Sequence, residues 1–315
     1  MALNVLLAAE ESAGLQTLKL IQSRKEEFKL KAVLTGTGDE HTAGPVHTLA
    51  KRFGCIVFPA ENVKKPEFAK WMLKQKIDIL LNVHSLYLIH PEVVTAPKMG
   101  AYNLHPGLLP EYAGLNTPSW SIYNREQAHG VSLHRIEAGV DTGNVIYEIS
   151  IPAEATDTGL SVSLKCAKTG IEMISNLLDD ALKNQIPEGR IQNLENRSYY
   201  KKHSVPLNGE INWAASAAET DALIRASNYA PFASPWGTPY SYIGGERYAV
   251  SKSVMTSESS TGLPGSIRIS EGRVLVATGD HDLILTDMRS NSRKLSEEEI
   301  SKLNGKRFDS GACQE

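Results

Sequence analysis

Two short stretches of this chain hold residue types that could stabilise a developing negative charge and move a proton. The first is Asn103-Leu104-His105, followed by Pro106-Gly107-Leu108-Leu109-Pro110. If residues 101–104 form a strand, positions two apart share a side, so the Asn103 amide and the His105 imidazole stand together. Pro106 and Gly107 then break the pairing, and Pro110 stiffens the loop beyond it. An amide donor beside an imidazole suits a reaction in which an oxygen gains charge while a proton is lost. The second stretch is Gly139-Val140-Asp141-Thr142-Gly143, a carboxylate held between two glycines. Taken singly, each stretch has a plainer reading. Asn-x-His at a strand end can be a hydrogen-bonded turn, and Asp among glycines is ordinary material for a β-hairpin.

The surrounding pattern decides where these residues would sit. Residues 5–9, 30–34, 55–58, 77–83 and 101–104 are short apolar runs, and residues 15–25, 45–53 and 66–76 carry helical spacing between them. Such alternation predicts right-handed βαβ units and a Rossmann-like parallel sheet covered on both faces. Ligands of such sheets bind at the carboxyl ends of the strands, which places residues 82–88 and 103–114 on the functional edge. From Gly130 the pattern becomes hairpin-like: strands over 131–136 and 145–151 flank the Asp141 turn. A long helix over 159–183 closes a first domain of residues 1–203. A polar linker around 199–206 leads into residues 204–315. There one helix (217–228) precedes short strands at 240–243, 248–251, 266–269, 273–277 and 282–286, a small β-barrel-like (OB-like) domain.

Bulk properties narrow the function. With 315 residues, two domains are the default. A formal net charge of −3 argues against nucleic acid or a membrane surface as the main partner. Cys55, Cys166 and Cys313 are scattered, without metal-site or disulfide spacing, and read as reduced thiols. No apolar stretch is long enough to span a bilayer, and no basic segment precedes the apolar run at 5–9, so a cytoplasmic protein is expected.

The order and spacing of the two stretches, within this strand–loop–hairpin setting, resemble the folate-dependent formyltransferase family. That family includes methionyl-tRNA, amino-sugar and glycinamide ribonucleotide formyltransferases. Asn103, His105, Gly107-Leu108-Leu109-Pro110 and Asp141-Thr142-Gly143 carry the resemblance. Ile211-Asn212-Trp213, Ile224-Arg225-Ala226, Pro235-Trp236, Leu263-Pro264-Gly265-Ser266-Ile267 and Val276-Ala277-Thr278-Gly279-Asp280 extend it through the second domain. It implies 10-formyltetrahydrofolate as cosubstrate, no metal, and an amine as acceptor. Asn103 and a protonated His105 would stabilise the oxyanion formed at the formyl carbon. Asp141 would orient His105, raise its proton affinity and relay the amine's proton. The pterin would sit against Val83, Ser85, Leu86 and Leu88 and against Ala138, Gly139 and Val140, held largely by backbone groups. His84 and His90 read as structural or surface residues.

Departures from the family pattern bear on the acceptor. Ala113 stands where the tRNA enzymes and some sugar enzymes carry an arginine, and the loop at 36–41 is short and acidic where the tRNA enzymes carry a basic insertion. Ala9-Glu10-Glu11-Ser12-Ala13-Gly14 replaces a glycine-rich phosphate loop, and its carboxylates would repel a phosphate. Residues 204–315 hold 11 Lys/Arg against 14 Asp/Glu, unlike a domain dedicated to RNA. Expected, therefore, are a small-molecule amine acceptor (an amino sugar or an amino-acid-like precursor), no nucleic acid, and a homodimer through the second domain. Glu10, Glu11, Tyr112 and Trp120 are candidate substrate contacts, with exposed loop charges and a core tryptophan as the alternative. Rival functions are methionyl-tRNA formylation and hydrolysis of 10-formyltetrahydrofolate. A dinucleotide-binding domain is disfavoured, because no GxGxxG follows the first strand.

Overall fold

A computed structural model describes residues 2–36 and 44–309. In chain order the first elements are β1 (Leu3–Ala9), α1 (Glu11–Ser23), β2 (Phe28–Thr35), α2 (Pro45–Arg52), β3 (Val57–Pro59), α3 (Glu67–Gln75), β4 (Ile79–Val83), α4 (Pro91–Thr95) and β5 (Gly100–His105). Then come β6 (Ala113–Gly114), α5 (Thr117–Tyr123), β7 (Ala128–Arg135), β8 (Val145–Pro152), α6 (Gly159–Leu182) and β9 (Tyr199–Tyr200). The last group is α7 (Ala217–Ala226), β10 (Tyr240–Ile243), β11 (Glu246–Ser259), β12 (Ile267–Ser270), β13 (Arg273–Ala277), β14 (His281–Ser290), β15 (Arg293–Lys294) and α8 (Glu297–Ser301).

The strand–helix alternation is the one expected, with ends shifted by a residue or two except at α1, which begins four residues earlier than expected. The main sheet runs β3-β2-β1-β4-β5-β7-β8. Its first five strands are parallel. β7 then lies antiparallel on β5. Residues 5–9 of β1 are all 0% exposed, because the central strand of such a sheet is covered on both faces. One face packs Leu6, Leu34, Met72, Leu80 and Ala101 with their neighbours, and Phe58 and Trp71 close its edge. α6 contributes a buried seam of Cys166, Met173, Ile174, Leu177, Leu178 and Ala181, the three-to-four spacing of an amphipathic helix. Gly170 continues that seam, since a Cβ there would come within 2.6 Å of the Leu104 side chain.

Two short helices, α4 and α5, escape the periodicity argument, being five and seven residues long. Each carries a proline in its first turn, the signal that could have marked it.

Contacts divide the chain into two units, each discontinuous in sequence. The first comprises residues 1–114, 130–151 and 164–199, and the second residues 115–129, 152–163 and 200–315. The second unit holds the antiparallel sheet β10-β11-β14-β13-β12, with β15 against β14. β11 and β14 run well past the expected ends, because their outer residues remain paired, as at Ser253–Leu285 and Ala249–Arg289. α7 opens on a Ser216/Glu219 capping box, and the Ser119 hydroxyl of α5 donates to the Ala226 carbonyl at its other end (2.8 Å). Trp213 stacks on Phe308 with centroids 4.9 Å apart and donates its indole N–H to Ser241 (3.0 Å). Among the described residues, no helix is long and apolar enough to cross a membrane.

Candidate active site

Sheet register, which no local pattern reveals, builds one row of polar side chains. Asn82 on β4 stands opposite Asn103 on β5, and Asn103 opposite His134 on β7. Asn82 Nδ2 donates to Asn103 Oδ1 (2.8 Å) and to the Ser85 carbonyl (3.2 Å). Asn103 Nδ2 donates in turn to His134 Nε2 (3.0 Å), and His134 Nδ1–H donates to the Arg135 carbonyl (2.8 Å). With Oδ1 held by Asn82 and one N–H held by His134, the half-buried Asn103 amide has a fixed orientation and a second N–H to offer.

His105 lies beside this row and is 3% exposed. Its Nε2–H donates to the Tyr112 carbonyl (2.6 Å), which leaves Nδ1 facing Asp141 Oδ2 across 3.8 Å. Burial pushes the imidazole pKa down, outweighing the pull of the Asp141 charge and the Tyr112 carbonyl, while His134 and His84 push the same way. The ring is therefore neutral at pH 7, not the preformed imidazolium that a neighbouring carboxylate alone would favour. The expectation counted the charge beside the ring and missed the cost of desolvating it.

Asp141 lies on the β7–β8 connection. Burial raises its pKa, but His105, His134 and the Gly114 N–H (2.9 Å to Oδ2) together hold it well below the carboxylate range. It is an anion at neutral pH. Its backbone is left-handed at φ +54°, a conformation costing about 1–2 kcal/mol outside glycine. The flanking Gly143 answers a different need: a Cβ there would fall 2.0 Å from the Arg135 carbonyl oxygen. Gly107 is similarly confined, between the Tyr112 carbonyl (2.6 Å) and His105 Nε2 (2.9 Å).

The loop after His105 is tied down by Ser132, which is 0% exposed and stands opposite His105 in the ladder. Its hydroxyl donates to the Gly107 carbonyl (2.8 Å) and accepts the Leu109 N–H (3.2 Å). Neither Ser132 nor His134 was singled out from sequence. The available signal was two polar residues spaced by two on a strand whose other side, Val131 and Leu133, is apolar.

The remaining candidates separate. Val83 is wholly buried and Ser85 6% exposed, whereas Leu86 and Leu88 stand 68% and 69% exposed at the end of β4. Ala138 and Gly139 are exposed and Val140 half-buried, on the Asp141 loop. Glu10 spends both carboxylate oxygens on its own fold, accepting the Gly36 N–H (2.6 Å) and the Thr35 hydroxyl (3.1 Å). That leaves Glu11 as the accessible carboxylate of the pair. It contacts His84 Nδ1 at 3.2 Å, a hydrogen bond that lowers its pKa. His84 is thus engaged at this edge, although nothing in its sequence context suggested it. Tyr112 serves the site through its carbonyl. Trp120 belongs to the second unit, half-buried, stacked on Tyr200 (4.6 Å) and edge-on to Trp236 (4.9 Å). Most of the loop at 36–41 lies outside the described residues. Among the described residues, no group of three potential ligands could hold a metal ion.

Residues 4–178 match the formyl transferase family model, and residues 205–304 match that of the formyl transferase C-terminal domain. The bifunctional polymyxin resistance protein ArnA of Wigglesworthia glossinidia brevipalpis is 29% identical over 245 residues, 76% of this chain. This chain spans only 36% of the length of that relative. Methionyl-tRNA formyltransferase of Legionella pneumophila is 29% identical over 304 residues, covering 93% of this chain and 92% of that one. The N-formyltransferase from Helicobacter canadensis, solved with folinic acid and dTDP-3-aminofucose, superposes with a TM-score of 0.69. It is 21% identical and covers 91% of this chain and 99% of that one, a likeness of fold.

Proposed function

This chain belongs to the formyl transferase family, and on that premise we propose that it transfers the formyl group of 10-formyltetrahydrofolate to the amine of a small molecule. The observation that carries the reading is the convergence of Asn103 and His105, at the end of β5, with Asp141 of the β7–β8 connection, so that an oriented amide lies beside an imidazole that faces a carboxylate. The residues suit the donor. Exposed Leu86 and Leu88 offer apolar surface to a flat heterocycle, and Ala138 and Gly139 are exposed on the Asp141 loop. The second N–H of Asn103 is placed to receive the formyl oxygen as it gains charge, a contribution of about 2.7–4 kcal/mol for one such donor.

In this reading His105 works as a base first and an acid second. As the amine nitrogen bonds to the formyl carbon, the Nδ1 lone pair takes the amine's proton, and the ring stays within 3.8 Å of the Asp141 carboxylate. The imidazolium forms beside the Asp141 carboxylate, which offsets the cost of a buried charge. It then returns the proton to the departing folate nitrogen as the carbon–nitrogen bond breaks. The products are a formamide and tetrahydrofolate, and His105 is neutral again.

Support for a small acceptor comes from Ala113, buried where an arginine would serve RNA, and from Glu11, an accessible anion at the end of β1. The nucleotide-linked amino sugar carried by the Helicobacter enzyme illustrates the class. Labelled 10-formyltetrahydrofolate should be offered to amino sugars, amino acids and methionyl-tRNA in parallel. Transfer to one small amine, insensitive to moderate salt, supports the reading. Transfer to methionyl-tRNA that weakens steeply with salt overturns the acceptor, and formate release without any amine identifies a hydrolase.

A further inference from the structure

The segment after α6 runs back across the site and holds both of its loops. Arg190 pairs with Val145 through backbone hydrogen bonds in both directions (2.8 and 2.9 Å), and its guanidinium donates to the Leu109 carbonyl (3.0 Å) and to Glu148. Ser198 accepts the N–H of Ala113 (3.0 Å), and Arg197 donates to the Val140 carbonyl (3.0 Å). Between them lies Gln192, 6% exposed, whose Nε2 donates to the carbonyls of Asp141 (2.9 Å) and Gly143 (2.6 Å).

We propose that Gln192 is a positioning residue for formyl transfer, acting by holding Asp141 in its left-handed conformation. Both hydrogens of its NH2 group are used, one on each side of Thr142, so the amide staples the turn whose centre carries the strained backbone. The far end of Asp141 is fixed separately, its carboxylate accepting the Gly114 N–H. Carbonyl and carboxylate are thus clamped from opposite sides, and the 3.8 Å approach to His105 depends on both clamps. A carboxylate cannot replace the amide, because two carbonyl oxygens would face it with no proton between. A leucine fills similar space and leaves both carbonyls without that donor. Gln192 touches neither reacting group, so its effect passes entirely through Asp141.

The inference rests on the formyl-transfer reading, and the test separates the two. Wild-type protein, Gln192→Leu and Gln192→Glu are compared by steady-state kinetics and by amide hydrogen exchange over residues 139–144, with α6 as internal reference. Gln192→Leu should lower kcat by roughly tenfold or more, as sub-ångström misplacement of a catalytic group does. KM for the folate donor should change little, and exchange should quicken at 139–144 while α6 stays protected. Gln192→Glu adds a readout that a merely structural role would not move. Its introduced carboxyl can donate only while protonated, so activity and loop protection should both fall as pH rises, a limb absent from the wild type. Normal kcat and normal protection at 139–144 in both variants would overturn the proposal. If Gln192→Leu does not fold, the pH limb of Gln192→Glu decides alone. Were wild-type protein to transfer no formyl group, the formyl-transfer reading would fail, while the exchange data would still show whether Gln192 holds the loop.

Discussion

Replacing Gly143 by alanine tests whether Asp141 and His134 are held as one unit. An ideal Cβ at Gly143 lies 2.0 Å from the Arg135 carbonyl oxygen, 2.9 Å from its carbon and 3.2 Å from the Glu137 side chain. A carbon and a carbonyl oxygen approach comfortably only to about 3.3 Å, so the two backbones must part by roughly 1.3 Å. Neither can move alone. The Arg135 carbonyl accepts the His134 ring N–H (2.8 Å), the Arg135 N–H donates to the Asn144 carbonyl (2.9 Å), and Gln192 holds Gly143 itself. The cost to stability should be about 1–3 kcal/mol, as for overpacking in a well-filled core. A shift of an ångström at Asp141 should lower kcat/KM by about a hundredfold. Urea melts and the rate of donor consumption, with the acceptor found in the panel, read both. Gly44→Ala is the control, since no described residue lies within 4 Å of a Cβ there. Full activity and an unchanged urea midpoint in Gly143→Ala would refute the reasoning, because the loop would then have slack that these distances deny.

Asn103→Ala, His105→Ala and Asp141→Asn should each lower kcat by about a hundredfold or more, with combined losses smaller than the product of single ones, since they share one proton and one oxygen. Near wild-type kcat in His105→Ala would be incompatible with the mechanism. The folded pKa of His105 lies below its ordinary 6.5, so the unfolded chain takes up that proton first as pH falls. Its stabilisation is full above about pH 6.5 and is lost as pH falls through the folded value, so wild-type melting temperature should drop more between about pH 7 and 5 than that of His105→Gln; parallel slopes would contradict this. Asn82→Ala frees the Asn103 amide to turn, and kcat should fall roughly tenfold, with donor affinity measured by titration nearly unchanged. In the second unit, Asp221 is 5% exposed and accepts from Arg225 (2.5 Å) and Ser253 (2.7 Å), so Asp221→Ala should cost about 2–4 kcal/mol in urea denaturation, and a loss under 1 kcal/mol would mean the pair is dispensable.

Local sequence was enough to place Asn103 and His105 together at the end of a strand, because period-two geometry and the Pro106-Gly107 break are properties of neighbouring residues. It was enough also for the βαβ half, whose short, mainly apolar runs alternate with segments of helical spacing, and whose central strand β1 is buried over residues 5–9. The polar row Asn82–Asn103–His134 needed the registers of three strands, and register is set by pairing between segments 21 and 31 residues apart. Gln192 lies further off again, 51 residues from Asp141, in a segment with no periodicity to read. The sequence suggested Asp141 as a turn residue between two glycines, and tertiary structure assigned the parts differently: Asp141 takes the left-handed backbone, and Gly143 is small because Arg135 passes close by. The charge on His105 was likewise decided by the fold. A carboxylate neighbour could be inferred from motif order, but only packing determines how much water a ring keeps, and for His105 the lost hydration outweighs the carboxylate.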